Sequence, residues 1–145
     1  MTGMSLIVRT ASRLLLPFMV LFGAYVVLHG HLTPGGGFQG GVIIAASLLM
    51  LVLAYGIHRL QAAIDILKLE LVEALGGLIL VGTGLAGLAA GVAKFYGHVL
   101  PLGRLGELFS GGNLPLLNVG TGIKVAAGIA LIFYAMLRVA RGEEA

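Results

Sequence analysis

The 145-residue sequence contains no cysteine and no tryptophan, and only 10% of its residues are charged. Without cysteine there is no disulfide framework, thiolate metal site or cysteine nucleophile. Without tryptophan, the four tyrosines make at best a thin interfacial belt. The shortage of charge excludes more. A soluble domain is about a quarter charged, whereas this chain is 59% hydrophobic with a mean hydropathy of +1.06. Such a chain cannot cover itself with polar surface in water, so lipid or other membrane subunits must cover it. The net charge of +3 does not indicate nucleic acid, because the basic residues stand singly rather than on one face.

Apolar runs divide the chain into four segments, at about 8–29, 40–57, 69–93 and 116–137. A membrane-spanning helix needs roughly 20 residues, and helices are the only open-chain solution where lipid offers backbone groups no partner. The expected fold is a single all-α integral membrane domain over residues 1–145 with four transmembrane helices. Arg9 and Arg13 before an apolar run also fit a signal peptide, but no small-x-small cleavage site follows, so the first helix is expected to be retained. With both termini cytoplasmic, Arg9, Arg13, Arg59, Lys68, Arg138 and Arg141 lie inside, and only Lys94 and Arg104 lie outside. This matches the positive-inside bias. A multi-pass protein of the cell membrane is expected.

What the chain has in abundance is glycine, 24 residues. The segment Thr33-Pro34-Gly35-Gly36-Gly37-Phe38-Gln39-Gly40-Gly41 lies between the first two spans. It reads as a tight outer loop over His29–Gln39, in which Pro34 fixes φ and pushes Thr33 away from helix. Gly36 with Gly40, Gly37 with Gly41, and Gly87 with Gly91 show the four-residue spacing that lets membrane helices touch. The third span is bare over Gly76, Gly77, Gly82, Gly84, Gly87 and Gly91, which reads as close packing against other helices. Gly35-x-Gly37-x-x-Gly40 and Gly82-x-Gly84-x-x-Gly87 match a dinucleotide fingerprint by letter alone, since neither sits in a βαβ unit. The longer connection from Lys94 to Asn113 places Leu102, Leu105, Leu108 and Phe109 at helical spacing, so a short amphipathic surface helix is expected there.

Two ionisable residues stand within spans. Lys124 lies about 12 Å into the fourth segment at 1.5 Å per residue, where a cation costs about 2.5–3.5 kcal/mol on insertion scales. A buried polar partner is favoured over snorkelling along its flexible stem. Glu73 stands about one turn inside the third segment; its position fits an interface carboxylate and an ion-path residue equally. Counted from their own span ends, the two lie about two turns apart along the membrane normal, so no direct salt bridge within the chain is expected, and another subunit is the alternative partner for either. His29, His31, His58 and His98 sit at span boundaries and read as polar caps, since His29-x-His31 lacks a third metal ligand. Neither a metal nor a cofactor is expected. Ser47, in mid-helix, is expected to bond back to its own backbone. No nucleophile–base–orienter set indicates an enzyme.

The block Leu32-Thr33-Pro34-Gly35-Gly36-Gly37-Phe38-Gln39-Gly40-Gly41-Val42-Ile43, continuing into Ala45-Ala46, resembles the MnhB component of the Mrp multisubunit cation/proton antiporters, the MnhB family. The resemblance extends to Asn118-Val119-Gly120-Thr121-Gly122-Ile123-Lys124-Val125. It implies a small subunit of a hetero-oligomer that exchanges Na⁺ for H⁺ across the bilayer, with other Mrp-type membrane subunits as partners. It also implies interface or ion-path roles for Pro34, Phe38, Gln39, Glu73 and Lys124, within a turn made of Gly36, Gly37, Gly40 and Gly41. Related modules occur in energy-converting membrane-bound hydrogenases and similar respiratory complexes, where the alternative role is a purely structural scaffold.

Overall fold

The computed structural model describes residues 4–56, 65–91, 94–104 and 106–140. Among these residues there are four helices: α1 (Leu6–Leu28), α2 (Gly37–Tyr55), α3 (Ile66–Ala89) and α4 (Leu114–Ala140). They run 19 to 27 residues and are long and apolar enough to cross a membrane. That corresponds to about 28–40 Å at 1.5 Å per residue, against a hydrocarbon core of about 30 Å. No strand occurs among the described residues. The inner connection expected at His58–Lys68 lies mostly outside the described residues, as does the charged tail from Arg141.

The helices alternate in direction and stand in the order α1, α2, α4, α3, with α2 and α4 as parallel neighbours in the middle. Small residues set this order. Gly23 of α1 faces Gly40 of α2: a Cβ at position 40 would lie 2.6 Å from the Gly23 carbonyl oxygen. On the other side of α2, a Cβ at Gly41 would lie 2.7 Å from the carbonyl oxygen of Gly122 in α4. Between α3 and α4, a Cβ at Gly76 would lie 2.7 Å from the Lys124 backbone nitrogen and 2.9 Å from the Gly120 carbonyl oxygen. In lipid, helix association rests on such van der Waals contact rather than on hydrophobic burial. The core is accordingly made of small side chains, with Ala45 and Ala54 fully buried, Ala127, Val52 and Val27 nearly so, and long rows of Leu, Phe and Val left on the outer faces.

Helix ends differ from the expected ones for local reasons. Helix α2 begins at Gly37 rather than near residue 40, so Gly37, Gly40 and Gly41 are helical contact positions and the loop is confined to residues 29–36. Helix α3 begins at Ile66 because the Asp65 side chain accepts the Leu67 N–H at 3.2 Å, an N-cap bond. The cap makes Asp65 the acidic residue that fixes this end. Helix α3 ends at Ala89, four residues short of the expected boundary. Ser47 Oγ donates to the Ile44 carbonyl at 2.6 Å, bonding back as expected.

The surface helix expected around Leu102, Leu108 and Phe109 does not form: the described residues of this connection make turns, and Leu105 lies outside them. Gly103 (φ 64°) and Gly106 (φ 93°) take left-handed backbone conformations that interrupt any helix. The connection instead folds back over the end of α3. The Phe95 ring occupies the space a side chain at Gly84 would need, and a Cβ at Gly87 would lie 2.7 Å from the Gly97 nitrogen. Thus two of the third-span glycines accommodate a loop rather than a neighbouring helix. Asn113, at the start of α4 and 3% exposed, ties the loop down. Its Nδ2 donates to the Gly97 carbonyl at 2.9 Å and its Oδ1 accepts the Leu100 N–H at 3.3 Å.

Candidate functional site

The glycine-rich segment and the fourth span meet at Asn118. The first N–H groups of a helix have no intrahelical partner, and the N–H of Gly37 donates to Asn118 Oδ1 at 3.3 Å. The cap of α2 is therefore supplied from α4, 81 residues away in sequence. Gly37 lies so close to α4 that an added Cβ would run into the Asn118 backbone carbonyl, and it would stand 2.9 Å from Thr121 Cβ. Pro34, Phe38 and Gln39 are exposed, with Phe38 at 62%, so they project away from the helices of this chain. The segment thus has two faces: glycines turned inward on α1 and α4, and Phe38 with Gln39 turned outward. Replacing Asn118 with alanine is expected to lower stability by about 0.5–2 kcal/mol, the usual range for loss of a cap. Thermal unfolding in detergent reads this, and an unchanged midpoint would show that water caps α2 equally well.

Glu73 and Lys124 form a salt bridge between α3 and α4, Lys124 Nζ donating to Glu73 Oε1. This corrects the expectation that they lie too far apart to pair within the chain. Depths counted from separate span ends assume helices with level ends. The contact of Gly76 with Gly120 and Lys124 sets the actual register instead. It leaves Glu73 three residues, about 4.5 Å, below the point where Lys124 meets α3, a gap that the flexible lysine stem spans. The pair is open on one side, with side-chain exposures of 43% for Lys124 and 32% for Glu73.

The histidines behave unequally. His29 caps α1: its backbone N–H and its Nδ1 both reach the Tyr25 carbonyl, at 2.9 and 3.2 Å, and its ring stacks on Tyr25 at 4.2 Å. His31 is not a surface cap, since both ring nitrogens are buried without a hydrogen-bond partner among the described residues. His98 packs on Gly112, and His58 lies outside the described residues.

Sequence reasoning missed the roles of Asn113 and Asn118. Asn113 carried a local signal, an Asn after Gly111-Gly112 at the edge of an apolar run, which is the pattern of a helix start. Asn118 carried none beyond its polarity, because its partner is set by tertiary packing.

Residues 7–131 match a family described as "Domain related to MnhB subunit of Na+/H+ antiporter". The chain belongs to the MnhB family. Among its relatives is an uncharacterized protein of Methanocaldococcus jannaschii, 38% identical over 119 residues that make up 77% of this chain and 44% of that protein. The corresponding Na(+)/H(+) antiporter component of Bacillus subtilis is 37% identical over 93 residues, 64% of each chain. A chain from the structure of the membrane-bound sulfane sulfur reductase, an archaeal respiratory membrane complex, superposes with a TM-score of 0.79 at 39% identity, over 94% of this chain and 59% of that one. The MnhB chain thus spans less than two thirds of the length of these relatives. It is a multi-pass membrane protein with four helices among the described residues long and apolar enough to cross a membrane, and the Bacillus subtilis relative and the sulfane sulfur reductase chain are parts of larger membrane assemblies. Both blocks that carry the family resemblance, Leu32–Ile43 and Asn118–Val125, lie where α2 and α4 touch.

Proposed function

We propose that this MnhB-family chain is the MnhB-type component of a hetero-oligomeric Na⁺/H⁺ antiport module, with both termini cytoplasmic and the Glu73–Lys124 pair beside the ion path. It would act as a transporter subunit and not as an enzyme in its own right. The observation that carries the reading is an ion pair within the membrane-spanning part of two glycine-packed helices. Ionisable groups at such depth are costly and commonly mark ion or proton routes. A lysine–carboxylate pair can open transiently, leaving the carboxylate free to take up a proton or a cation. Phe38 and Gln39, turned outward, would meet neighbouring subunits.

The test is Glu73→Gln in the complete complex, reconstituted in vesicles holding a pH gradient. Adding Na⁺ to the unaltered complex collapses the gradient. The variant is expected to assemble and to collapse it at least about tenfold more slowly, a loss of about 1.4 kcal/mol in barrier terms. Undiminished exchange in a fully assembled variant removes the pair from the path.

A second reading rests on the superposition with the sulfane sulfur reductase chain. In it the subunit is a scaffold in an energy-converting complex of the membrane-bound hydrogenase type, and the pair serves helix register alone. Under that reading Glu73→Gln changes assembly and leaves exchange per assembled complex unaltered.

A further inference from the structure

Most glycines of the packed helices are explained within the chain. Gly23, Gly37, Gly40, Gly41, Gly76, Gly120 and Gly122 each stand where a Cβ would meet another helix at under 3.0 Å. Gly77, Gly82 and Gly128 do not, and nothing at all lies within 4 Å of a Cβ at Gly82. A Cβ at Gly77 would rest 3.4 Å from Lys124 Nζ, and a Cβ at Gly128 would rest 4.0 Å from Glu73 Cγ, both ordinary contact distances. Glycine lowers helix stability relative to alanine, so glycines without an internal cause point to something outside the chain that needs bare surface, and Gly77 and Gly128 place one such position on each of α3 and α4. Both adjoin the ion pair.

The pair itself is incomplete. A lysine ammonium has three N–H donors, and the one hydrogen bond of Lys124 among the described residues goes to Glu73. Its side chain remains 43% exposed. Hydrocarbon offers no acceptor for the remaining donors. An apolar groove along α4, about 410 Å³ and lined by Leu69, Val72, Val119, Ile123 and Ala126 among others, does not include Glu73 or Lys124. The polar opening therefore lies apart from the apolar one.

We propose that the open side of the Glu73–Lys124 pair, with the bare helix surface at Gly77 and Gly128, docks a transmembrane helix of another subunit that presents a hydrogen-bond acceptor to the Lys124 ammonium. Glycine on both helices lets a third backbone come close, the usual use of small residues in membrane helix packing. The acceptor satisfies the free ammonium donors, and the incoming helix shields the pair from lipid. The proposal shares with the function proposed above only its multisubunit setting, and it holds whether or not the pair conducts ions.

The chain has no cysteine, so Gly77→Cys and Gly128→Cys each give it its only thiol, the contact distances above allow both side chains, and crosslinks are scored on this chain against the unaltered complex. Each variant is prepared as the whole complex in native membranes and labelled with a thiol-directed photo-crosslinker. Both positions are expected to crosslink to the same neighbouring subunit and to resist a membrane-impermeant thiol reagent. Leu78→Cys, on the far side of α3, is expected not to give that product. Labelling of positions 77 and 128 by the impermeant reagent would show a water-filled opening and overturn the proposal. So would crosslinks to lipid alone or to a second copy of this chain. Ion exchange is measured on the same samples, so an intact crosslink in a complex that does not exchange Na⁺ for H⁺ counts against the proposed function and leaves the docking surface standing.

Discussion

Gly37→Ala is expected to destabilise the protein by at least about 1–3 kcal/mol, the range for overfilling a packed site, although it adds a single methyl group. The methyl would enter the space of the Asn118 carbonyl and press on Thr121 Cβ at 2.9 Å. Neither obstacle is the movable end of a flexible side chain, so α2 and α4 must separate. Separation would also break the bond from the Gly37 N–H to Asn118 Oδ1. The same substitution at Gly82 should act with the opposite sign. Nothing lies within 4 Å of a Cβ there, and alanine is favoured over glycine by about 1 kcal/mol in a helix interior. Thermal midpoints in one detergent, measured side by side, check both. If Gly37→Ala melts with the unaltered protein, the close approach of α2 and α4 is wrong.

That contrast shows how far the sequence could be read. Four spans were legible because hydropathy and length are one-dimensional signals, and membrane helices obey them closely. The contact role of Gly37 and Gly41 was legible from their spacing. The helical state of Gly37 was not, although Gly41 already fell within the expected second span. Five glycines and a proline in nine residues carry the local signature of a turn. The helix nevertheless extends through Gly37–Gly41, because Asn118 caps it from a distant helix and the glycine faces are pressed between α1 and α4. Tertiary contact overrode local propensity, as it commonly does. The opposite error occurred around Leu102–Phe109, where leucine spacing was weighed and the backbone demands of Gly103 and Gly106 were not.

The ion pair was illegible for a different reason. Lys124 and Glu73 were each recognisable from their setting in apolar sequence, but their meeting depends on the vertical register of α3 against α4. Hydropathy fixes a span's ends only to within a turn or so, and an error of one turn at each helix is enough to hide a salt bridge. The register is set by Gly76 lying on Gly120 and Lys124. From sequence alone, Gly76 could not be distinguished from Gly82, which touches nothing. Glycine spacing shows that a helix can pack closely without showing which of its glycines does.

Breaking the pair from one side is expected to do more harm than removing it. Lys124→Ala leaves the Glu73 carboxylate within the span without its cation, at a cost of about 2.5–3.5 kcal/mol on insertion scales if it stays charged. Glu73→Ala leaves the Lys124 ammonium, which escapes part of that cost by extending along its stem. Lys124→Ala should therefore be the worse of the two single changes. In the double variant neither charge remains, and alanine suits both helices. It should recover stability relative to Lys124→Ala, with a coupling of about 0.5–3 kcal/mol between the sites. Thermal midpoints of all four proteins close the cycle, and additive effects would mean that the two groups do not interact in the membrane. Transport measured on the same four complexes separates the two proposed roles. A double variant that regains stability but not Na⁺-driven proton exchange places the pair's chemistry in the ion path. One that regains both reduces the pair to a device for aligning α3 with α4.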